Sequence, residues 1–480
     1  MSKNSMDMCE GPIFKKIVVY TLPIIATGLL QLLFNAADLV VVGQYCGEKS
    51  IAAVGATGSL INLITNLFLG LSVGAGVTVA HALGGHDDKG VQRTVHTAIP
   101  IALVSGIFLT FVGIFGADTF LRMMETPENV HGLSATYIKI YFLGITSTIV
   151  YNYGAAILRA AGDTKGPLIF LTVAGVINVV LNIFFVTVFD MNVAGVALAT
   201  AISQTVSAVL IILALRRRTD ACKFSFRKMR FHKRQLIKML TIGIPAGIQS
   251  SLFSLSNVII QSSINSFGDV VMAGSAAAAN IEGFVWITIN SFSQTAINFV
   301  GQNVGAKKYD RVRRVVLTCL ACVTVTGVLF GTTVYLLAPR LLSIYITDSA
   351  EAIGYGITRI AFICLPYFLC GLMDTTTGAI RGLGSSVAPM IITIAGVCGL
   401  RILWIYTIFS IPEYHTLESL FISYAISWAI TFIAQLITFF ILYSRQKKKL
   451  KLKMPSLFPP PFRHSLKDGK RNVQAQAARL

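Results

Sequence analysis

Polar side chains stand at helical spacing inside the first long apolar stretch of this sequence. Asn35 precedes Asp38 by about one turn and Gln31 precedes Asn35 by another, so the three share one helix face. A carboxylate beside amides could bind and release a proton or hold a sodium ion. Alternatively, Asp38 lies near the end of its helix, against lipid headgroups or water. Both interpretations require a helix to position it.

A carboxamide pair and three charges occupy later apolar stretches. Asn178 and Asn182 lie one turn apart, a spacing that suits either a shared ion site or hydrogen bonds between helices. Glu282 follows the small-residue run AGSAAAAN, and Asp374 and Arg401 also fall in apolar sequence. A charge at bilayer depth is costly, so each should face a cavity or an opposite charge. For Arg401, pairing with Glu282 or Asp374 and a direct functional role are both open.

We group these residues into two candidate sets. The predicted cation-coupling set is Asp38, which could also be a sodium ligand, with Asn35, Asn178 and Asn182. The set predicted to line a substrate cavity is Gln31, Gln249, Asn257, Glu282, Asp374 and Arg401. No firm metal site is predicted: the cysteines are scattered, and Cys319 and Cys322 lie in an apolar stretch where packing explains them.

The apolar stretches have the length and composition of membrane spans. Hydrophobic residues make up 54% of the 480 and charged residues 13%, roughly half the charge of a soluble domain. A helix of about twenty residues crosses a hydrocarbon core of about 30 Å, whereas barrel strands would be shorter and would alternate polar with apolar residues. We predict an all-α integral membrane protein with about twelve spans, at 15–43, 51–84, 95–120, 133–158, 167–189, 192–216, 237–266, 270–301, 315–346, 355–380, 388–409 and 418–444.

The basic residues fall in alternate loops. Ten Lys and Arg lie from Arg216 to Lys238 and five from Lys307 to Arg314, whereas the opposite loops hold few. By the positive-inside rule these basic loops are cytoplasmic, and so are both termini. This arrangement, rather than nucleic-acid binding, accounts for the net charge of +19.

The two sides of the central basic loop repeat each other. Pro23 matches Pro245, and the motif around Arg159 matches that around Arg381, both at an offset of 222; the segment from Gly84 recurs at 221. Arg159 and Arg381 stand beside glycine-rich loops, where we expect helix-end roles. An offset this constant indicates an internal duplication of six spans.

Six spans per half orient both halves alike in the membrane. We therefore predict two six-helix lobes related by a pseudo-twofold axis along the membrane normal, with a substrate path between them. The predicted divisions are a cytoplasmic N-terminus at 1–14, a first lobe at 15–216, a basic linker at 217–236, a second lobe at 237–444 and a basic, disordered cytoplasmic tail at 445–480.

Several extended motifs resemble those of the multidrug and toxic compound extrusion (MATE) family. They are LPIIATGLLQLLFNAADLVVVGQ with IAAVGA, then LRAAGDTKGP, FVGQNVGAKKYDRVRR and AIRGLGSSVAP, in this order along residues 10–445. The resemblance implies two lobes around a central cavity, alternating access, and export of organic cations in exchange for protons or sodium. It also implies that Asp38 and Asn178 take the places of the family's first-span aspartate and fifth-span asparagine.

The chain departs from the family at two positions. Some members carry a second carboxylate one turn after the fifth-span asparagine, where this chain has Asn182. Another branch has a seventh-span glutamate, whereas this chain has apolar or hydroxyl residues between Gln249 and Asn257. We therefore expect Asp38, assisted by Glu282 or Asp374, to carry more of the coupling.

The expected function is secondary active efflux of amphipathic, often cationic compounds from a bacterial cell, across the plasma membrane. The alternative is a flippase for lipid-linked precursors or polysaccharides, which share this architecture. An enzyme is not expected, because the sequence shows no P-loop, HExxH or GxSxG motif. We expect no cofactor, a proton or sodium as coupling ion, small organic substrates and the bilayer as partners, no nucleic acid, and a monomer.

Overall fold

The computed structural model describes residues 6–124, 126–346 and 349–453, and these form helices without a strand. The first five residues and the predicted tail beyond Lys453 lie outside the described residues. The helices are α1 (Ile13–Tyr45), α2 (Glu48–Gly84), α3 (Asp88–Met123), α4 (Glu128–Ala160), α5 (Lys165–Thr187), α6 (Asn192–Arg217), α7 (Lys233–Asn265), α8 (Asp269–Gly305), α9 (Tyr309–Leu342), α10 (Ala350–Cys364), α11 (Tyr367–Gly382), α12 (Val387–Thr393), α13 (Leu400–Tyr406) and α14 (Leu417–Lys453).

The described helices confirm the predicted spans. Eleven are long and apolar enough to cross a membrane, and the pair α10 and α11 makes twelve if it counts as one bent span. The pair bends by 42° at Leu365 and Pro366, since proline lacks the N–H that would continue the helix and its ring crowds the preceding turn. A π-helical segment, Ile394–Gly399, joins α12 to α13.

The described residues up to Phe439 form one compact unit, and those from Phe440 to Lys453 belong to a second. Inside the first unit, α2 and α7 approach closely through small residues. A Cβ added at Gly70 would collide with the backbone of Gly247, and one added at Gly74 would collide with that of Met239. The helices α1 and α8 also meet, where the hydroxyls of Thr21 and Thr295 lie 2.8 Å apart. The halves of the repeat thus pack along two helix pairs.

The two halves are also joined at the end of the bundle that carries the basic loops, which we call the basic end. Gln302 on α8 donates to the Ala160 carbonyl at the end of α4, at 2.7 Å. His81 Nε2 on α2 lies 2.7 Å from the Gly382 carbonyl of α11. These contacts close the space between the halves at this end.

A segment before α1 adds to this closure. Met6 donates its N–H to the Gly162 carbonyl of the first half. The Met8 carbonyl accepts from Asn303 at 3.1 Å and from Arg311 at 3.2 Å, both in the second half. Met8 is fully buried. The segment is therefore hydrogen-bonded to both halves and connects them at the basic end.

The linker predicted at 217–236 packs against the first half. Arg218 makes a bidentate contact with Asp220, and Ser225 donates to His96 Nε2 at 3.1 Å. Burial would raise the pKa of Asp220, but the hydrogen bonds from Arg218 hold it below its usual value. Phe224 is buried in the core of the first half.

Candidate transport site

Asp38 on α1 is bound by polar side chains of α5 and α6. Its Oδ1 accepts a hydrogen bond from the Asn182 amide, and its Oδ2 accepts one from the Thr200 hydroxyl at 3.4 Å. Asn182 also donates to Asn178 Oδ1, and Asn178 donates to Thr200, both at 3.3 Å. The predicted spacing of Asn178 and Asn182 thus places both amides on the face of α5 that meets α1. We call these four residues the Asp38 cluster.

The Asp38 cluster is rich in oxygen acceptors. Asn182 is fully buried, and its Oδ1 has no hydrogen-bond partner within the described residues. An unpaired buried acceptor beside a carboxylate suits a cation or a protonated acid, because either would supply the missing positive charge or donor. Asp38 itself is half-buried.

Gln31 and Asn35 lie on the same helix as Asp38 but contribute to a different site. Both are exposed and line a chamber between α1, α2 and α8 of about 380 Å³. Asp38 points instead to α5 and α6. About one helical turn, from Asn35 to Asp38, therefore separates the wall of this chamber from the Asp38 cluster.

Three chambers of about 430, 340 and 380 Å³ adjoin one another between the halves. Trp286 and Asn290 of α8 line all three. We call the three together the central cavity. Each chamber has the volume of a site for a drug-sized ligand, about 300–1,000 Å³.

Four of the residues predicted for the substrate cavity line its largest chamber, namely Gln249, Asn257, Glu282 and Asp374. Glu282 accepts from Arg359 Nε at 2.7 Å and from Nη2 at 3.1 Å. Asp374 accepts a long hydrogen bond from Asn290, at 3.5 Å. The chamber therefore contains one carboxylate held by an arginine and one held by an amide.

Arg401 is 1% exposed and packs within the second half. Its guanidinium carbon lies 4.0 Å from the ring centre of Tyr424, and its Nε donates to Ser427 at 3.0 Å. The Nη1 of Arg401 donates a longer hydrogen bond to Asn257 Oδ1, at 3.4 Å. Within the described residues, no ion pair joins it to Glu282 or Asp374. An aromatic ring and neutral oxygens offset its charge instead.

Sequence reasoning missed several residues of these sites. Thr200 and Trp286 carried no distinguishing signal, since hydroxyls and aromatic rings are common in spans. Arg359 did carry one, because it is a charge inside the predicted span at 355–380. Arg159 and Arg381, for which we expected helix-end roles, have side chains that line the central cavity. Their matched places in the repeat were a signal that could have marked them as a pair.

A family model described as MatE matches residues 23–184 and matches again at 245–407. This chain belongs to the MATE family. The two matches start 222 residues apart, which confirms the duplication inferred from the sequence. Membership places this chain in a family of multidrug efflux transporters.

Relatives and solved structures agree with that membership. The chain is 28% identical to the probable multidrug resistance protein YpnP of Bacillus subtilis, over 83% of this chain and 89% of that protein. A crystal structure of MATE in complex with MaL6 superposes with a TM-score of 0.87 at 21% identity, covering 93% of this chain and 100% of the other. An outward-facing multidrug resistance MATE family transporter gives 0.86 at 22% identity, covering 93% and 99%. These structural likenesses confirm the predicted all-α architecture of two repeated halves.

Proposed function

We propose that this MATE protein is a secondary antiporter that exports amphipathic, often cationic organic compounds in exchange for protons or sodium. The observation that carries the proposal is the arrangement of two polar sites. The Asp38 cluster lies between helices of the first half, and the central cavity lies between the halves. One site can hold the coupling ion while the other holds the exported compound.

The charge of the loops supports an orientation of the chain in the membrane. The basic end faces the cytoplasm by the positive-inside rule, in the plasma membrane of a bacterium. The contacts of Gln302, His81 and the segment around Met8 close that end. This state corresponds to a cavity closed toward the cytoplasm, from which substrate leaves to the exterior.

Asp38 links binding of the coupling ion to movement of α1. As a carboxylate it accepts from Asn182 and Thr200, so it ties α1 to α5 and α6. Protonation removes one acceptor site and the negative charge, which weakens these bonds. A sodium ion would instead recruit the free Asn182 Oδ1 as a further ligand. In either case, ion binding changes how α1 is held, and α1 forms part of the cavity wall through Gln31 and Asn35.

The repeated halves, which we take as lobes 15–216 and 237–444, would move as near-rigid bodies around the central cavity. Flipping of lipid-linked precursors is the second candidate function, and a strongly basic cavity would favour it. Here Asp374 and the paired Glu282 share the cavity with Arg159 and Arg381. The mixed charge favours small-molecule efflux, and we propose that the protein works as a monomer.

Drug-dependent ion flux in proteoliposomes tests the proposal. Purified protein is reconstituted with a pH-sensitive dye or a sodium indicator inside, and an organic cation is added under an imposed gradient. We expect ion movement that depends on the compound and compound movement that depends on the gradient. Transport that is indifferent to both gradients would contradict antiport.

A further inference from the structure

An apolar groove of about 560 Å³ lies on the outside of the bundle, between α1 of the first half and α9 of the second. Leu22 of α1 and Val325 and Phe330 of α9 line it, and each is about half exposed. Among the described residues, none lines both this groove and the three chambers of the central cavity. We propose that the groove binds an acyl chain of an anionic phospholipid from the leaflet at the basic end. This lipid site is separate from the antiport proposed above and does not depend on it.

The groove has the polarity and the length that suit an acyl chain. The hydroxyls of Thr288 and Thr318 donate to the carbonyls of Phe284 and Arg314 in their own helices, so they need no partner from a ligand. Along α9 the wall runs from Thr318 to Phe330, about 18 Å at the helical rise of about 1.5 Å per residue. One leaflet makes up half of a hydrocarbon core of about 30 Å. The groove is therefore about as deep as one leaflet.

Two cations lie at the basic end of the groove, one on each helix. Lys15 precedes the groove residue Val18 by three positions on α1, and Arg314 precedes Thr318 by four on α9. At these spacings each cation lies on the helix face that forms the groove. Both residues are exposed, and within the described residues neither side chain has a hydrogen bond or an ion pair. Their charges are therefore available to a ligand.

An apolar groove that begins at two cations matches a lipid with a negatively charged head group. Long basic side chains near helix ends extend their charges to the membrane surface, and basic residues between spans bind anionic head groups there. The phosphate would lie between Lys15 and Arg314 while a chain lies against Leu22 and Val325. A zwitterionic lipid gains less from the two cations, because its own ammonium offsets the phosphate. Since α1 and α9 belong to different halves, the bound lipid would contact both.

Binding of two defined lipids to the purified full-length protein tests the proposal. Phosphatidylglycerol and phosphatidylcholine with identical chains differ in the net charge of the head group. Native mass spectrometry of the delipidated protein in detergent gives the affinity for the first bound molecule of each. We expect phosphatidylglycerol to bind at least about fivefold more tightly, which is the contribution of one basic residue near the membrane surface. Equal affinities, or a preference for phosphatidylcholine, would overturn the proposal.

Matched variants assign the preference to the two cations. Lys15→Gln with Arg314→Gln should weaken binding of phosphatidylglycerol by about tenfold or more and remove the preference, whereas Lys15→Arg with Arg314→Lys should keep it. Arg313→Gln is the control, because Arg313 is exposed and precedes Leu317, which does not line the groove, by one turn. It should leave both affinities unchanged. An equal loss in Arg313→Gln would show general attraction to the basic end and overturn the proposal.

A further variant tests the apolar part of the site. Ala321 is exposed and lines the groove. Ala321→Trp keeps every charge but fills the space that the acyl chain would occupy, so it should weaken binding of both lipids. Unchanged affinities would place the chain elsewhere and contradict the proposed site.

Photo-crosslinking locates the lipid on the intact protein, so the answer does not depend on whether a variant folds. A phosphatidylglycerol that carries a diazirine on one acyl chain is bound to the full-length protein and photolysed. The labelled peptides are then identified by mass spectrometry. We expect the label in α1 near Leu22 and in α9 near Val325, and an excess of unlabelled phosphatidylglycerol should remove it. Label confined to other helices would overturn the proposal.

Discussion

The Glu282 carboxylate and the Arg359 guanidinium form a buried bidentate pair, with side chains only 10% and 8% exposed. The pair joins α8 to α10, shortly before the bend that leads into α11. Glu282 lines the central cavity, yet its oxygens are engaged by Arg359. Asp38 and Asp374, which are held by amides, are therefore the better candidates for binding a cation.

Removing Arg359 alone should destabilise the protein more than removing the whole pair. Arg359→Met leaves the Glu282 carboxylate buried without its partner, which typically costs about 3–5 kcal/mol. The double variant Arg359→Met with Glu282→Gln removes the uncompensated charge and should recover much of that loss. Thermal unfolding in detergent, followed by tryptophan fluorescence, measures both. Equal melting temperatures for the single and double variants would argue against a structural pair.

Asp38→Asn should abolish coupled efflux while the protein stays folded in the membrane. An amide of the same shape is not protonated as a carboxylate is, and it carries no negative charge to hold sodium. Asp118→Asn provides a matched control, because Asp118 is half-exposed in a surface pair with Lys139 at 2.8 Å. Gradient-driven uptake of an organic cation into inverted vesicles is the measurement. Full transport by Asp38→Asn would remove Asp38 from the mechanism.

Cys9 should report on the closure of the basic end. Burial, and then the negative charge of Asp7, raise the pKa of the Cys9 thiol. Since the thiolate is the reactive form, maleimide labelling in a variant with Cys9 as its one cysteine should be slow at pH 7 and should accelerate above pH 9.

Opening of the basic end should speed this labelling at neutral pH. Asn303→Ala removes a donor to Met8 and should raise the rate several-fold, whereas Thr318→Ala, at a half-buried site with a local bond to Arg314, should not. An identical rate in all three proteins would show that the segment around Met8 does not hold the halves together.

Cross-links should distinguish motion between halves from motion within them. A Cβ built on Gly301 lies 2.9 Å from the Ala80 Cβ, so Ala80→Cys with Gly301→Cys should form a disulfide after a small shift. Oxidation should stop transport, and reduction should restore it. Asp118→Cys with Lys139→Cys, at a surface pair that joins α3 to α4 inside the first half, can be bridged by a short bis-maleimide and should leave transport intact. The reverse pattern would indicate bending of individual helices.

The spans were predictable because apolar length is a local property of the sequence. The duplication was predictable because it appears when the sequence is compared with itself. Apolar length alone indicated the helices, and the constant offset between Pro23 and Pro245 indicated the two halves. The bend between α10 and α11 was not predicted, although Pro366 marks it. A proline inside an apolar run can either kink a helix or leave it nearly straight, and the surrounding packing decides between the two.

The candidate residues were identified more easily than their partners. Charges in apolar sequence stood out, so Asp38, Glu282, Asp374 and Arg401 were found at once. Arg359 also lies in a predicted span, at 355–380, but was not singled out. Its pairing with Glu282 was not predicted because the two lie 77 residues apart along the chain, and no spacing rule connects positions on separate helices. The contact of Arg401 with an aromatic ring was not predicted for the same reason.

The sequence by itself thus determined the membrane architecture, the repeat, the family resemblance and the polar positions that a bilayer makes costly. Only the tertiary structure decided which of those positions meet. In the fold, Asp38 is hydrogen-bonded to Asn182 and Thr200, and Glu282 is paired with Arg359. Arg159 and Arg381 line the same chamber. Periodicity fixes the face of a helix on which a residue lies, whereas its partner depends on the rotation and depth at which another helix packs against that face.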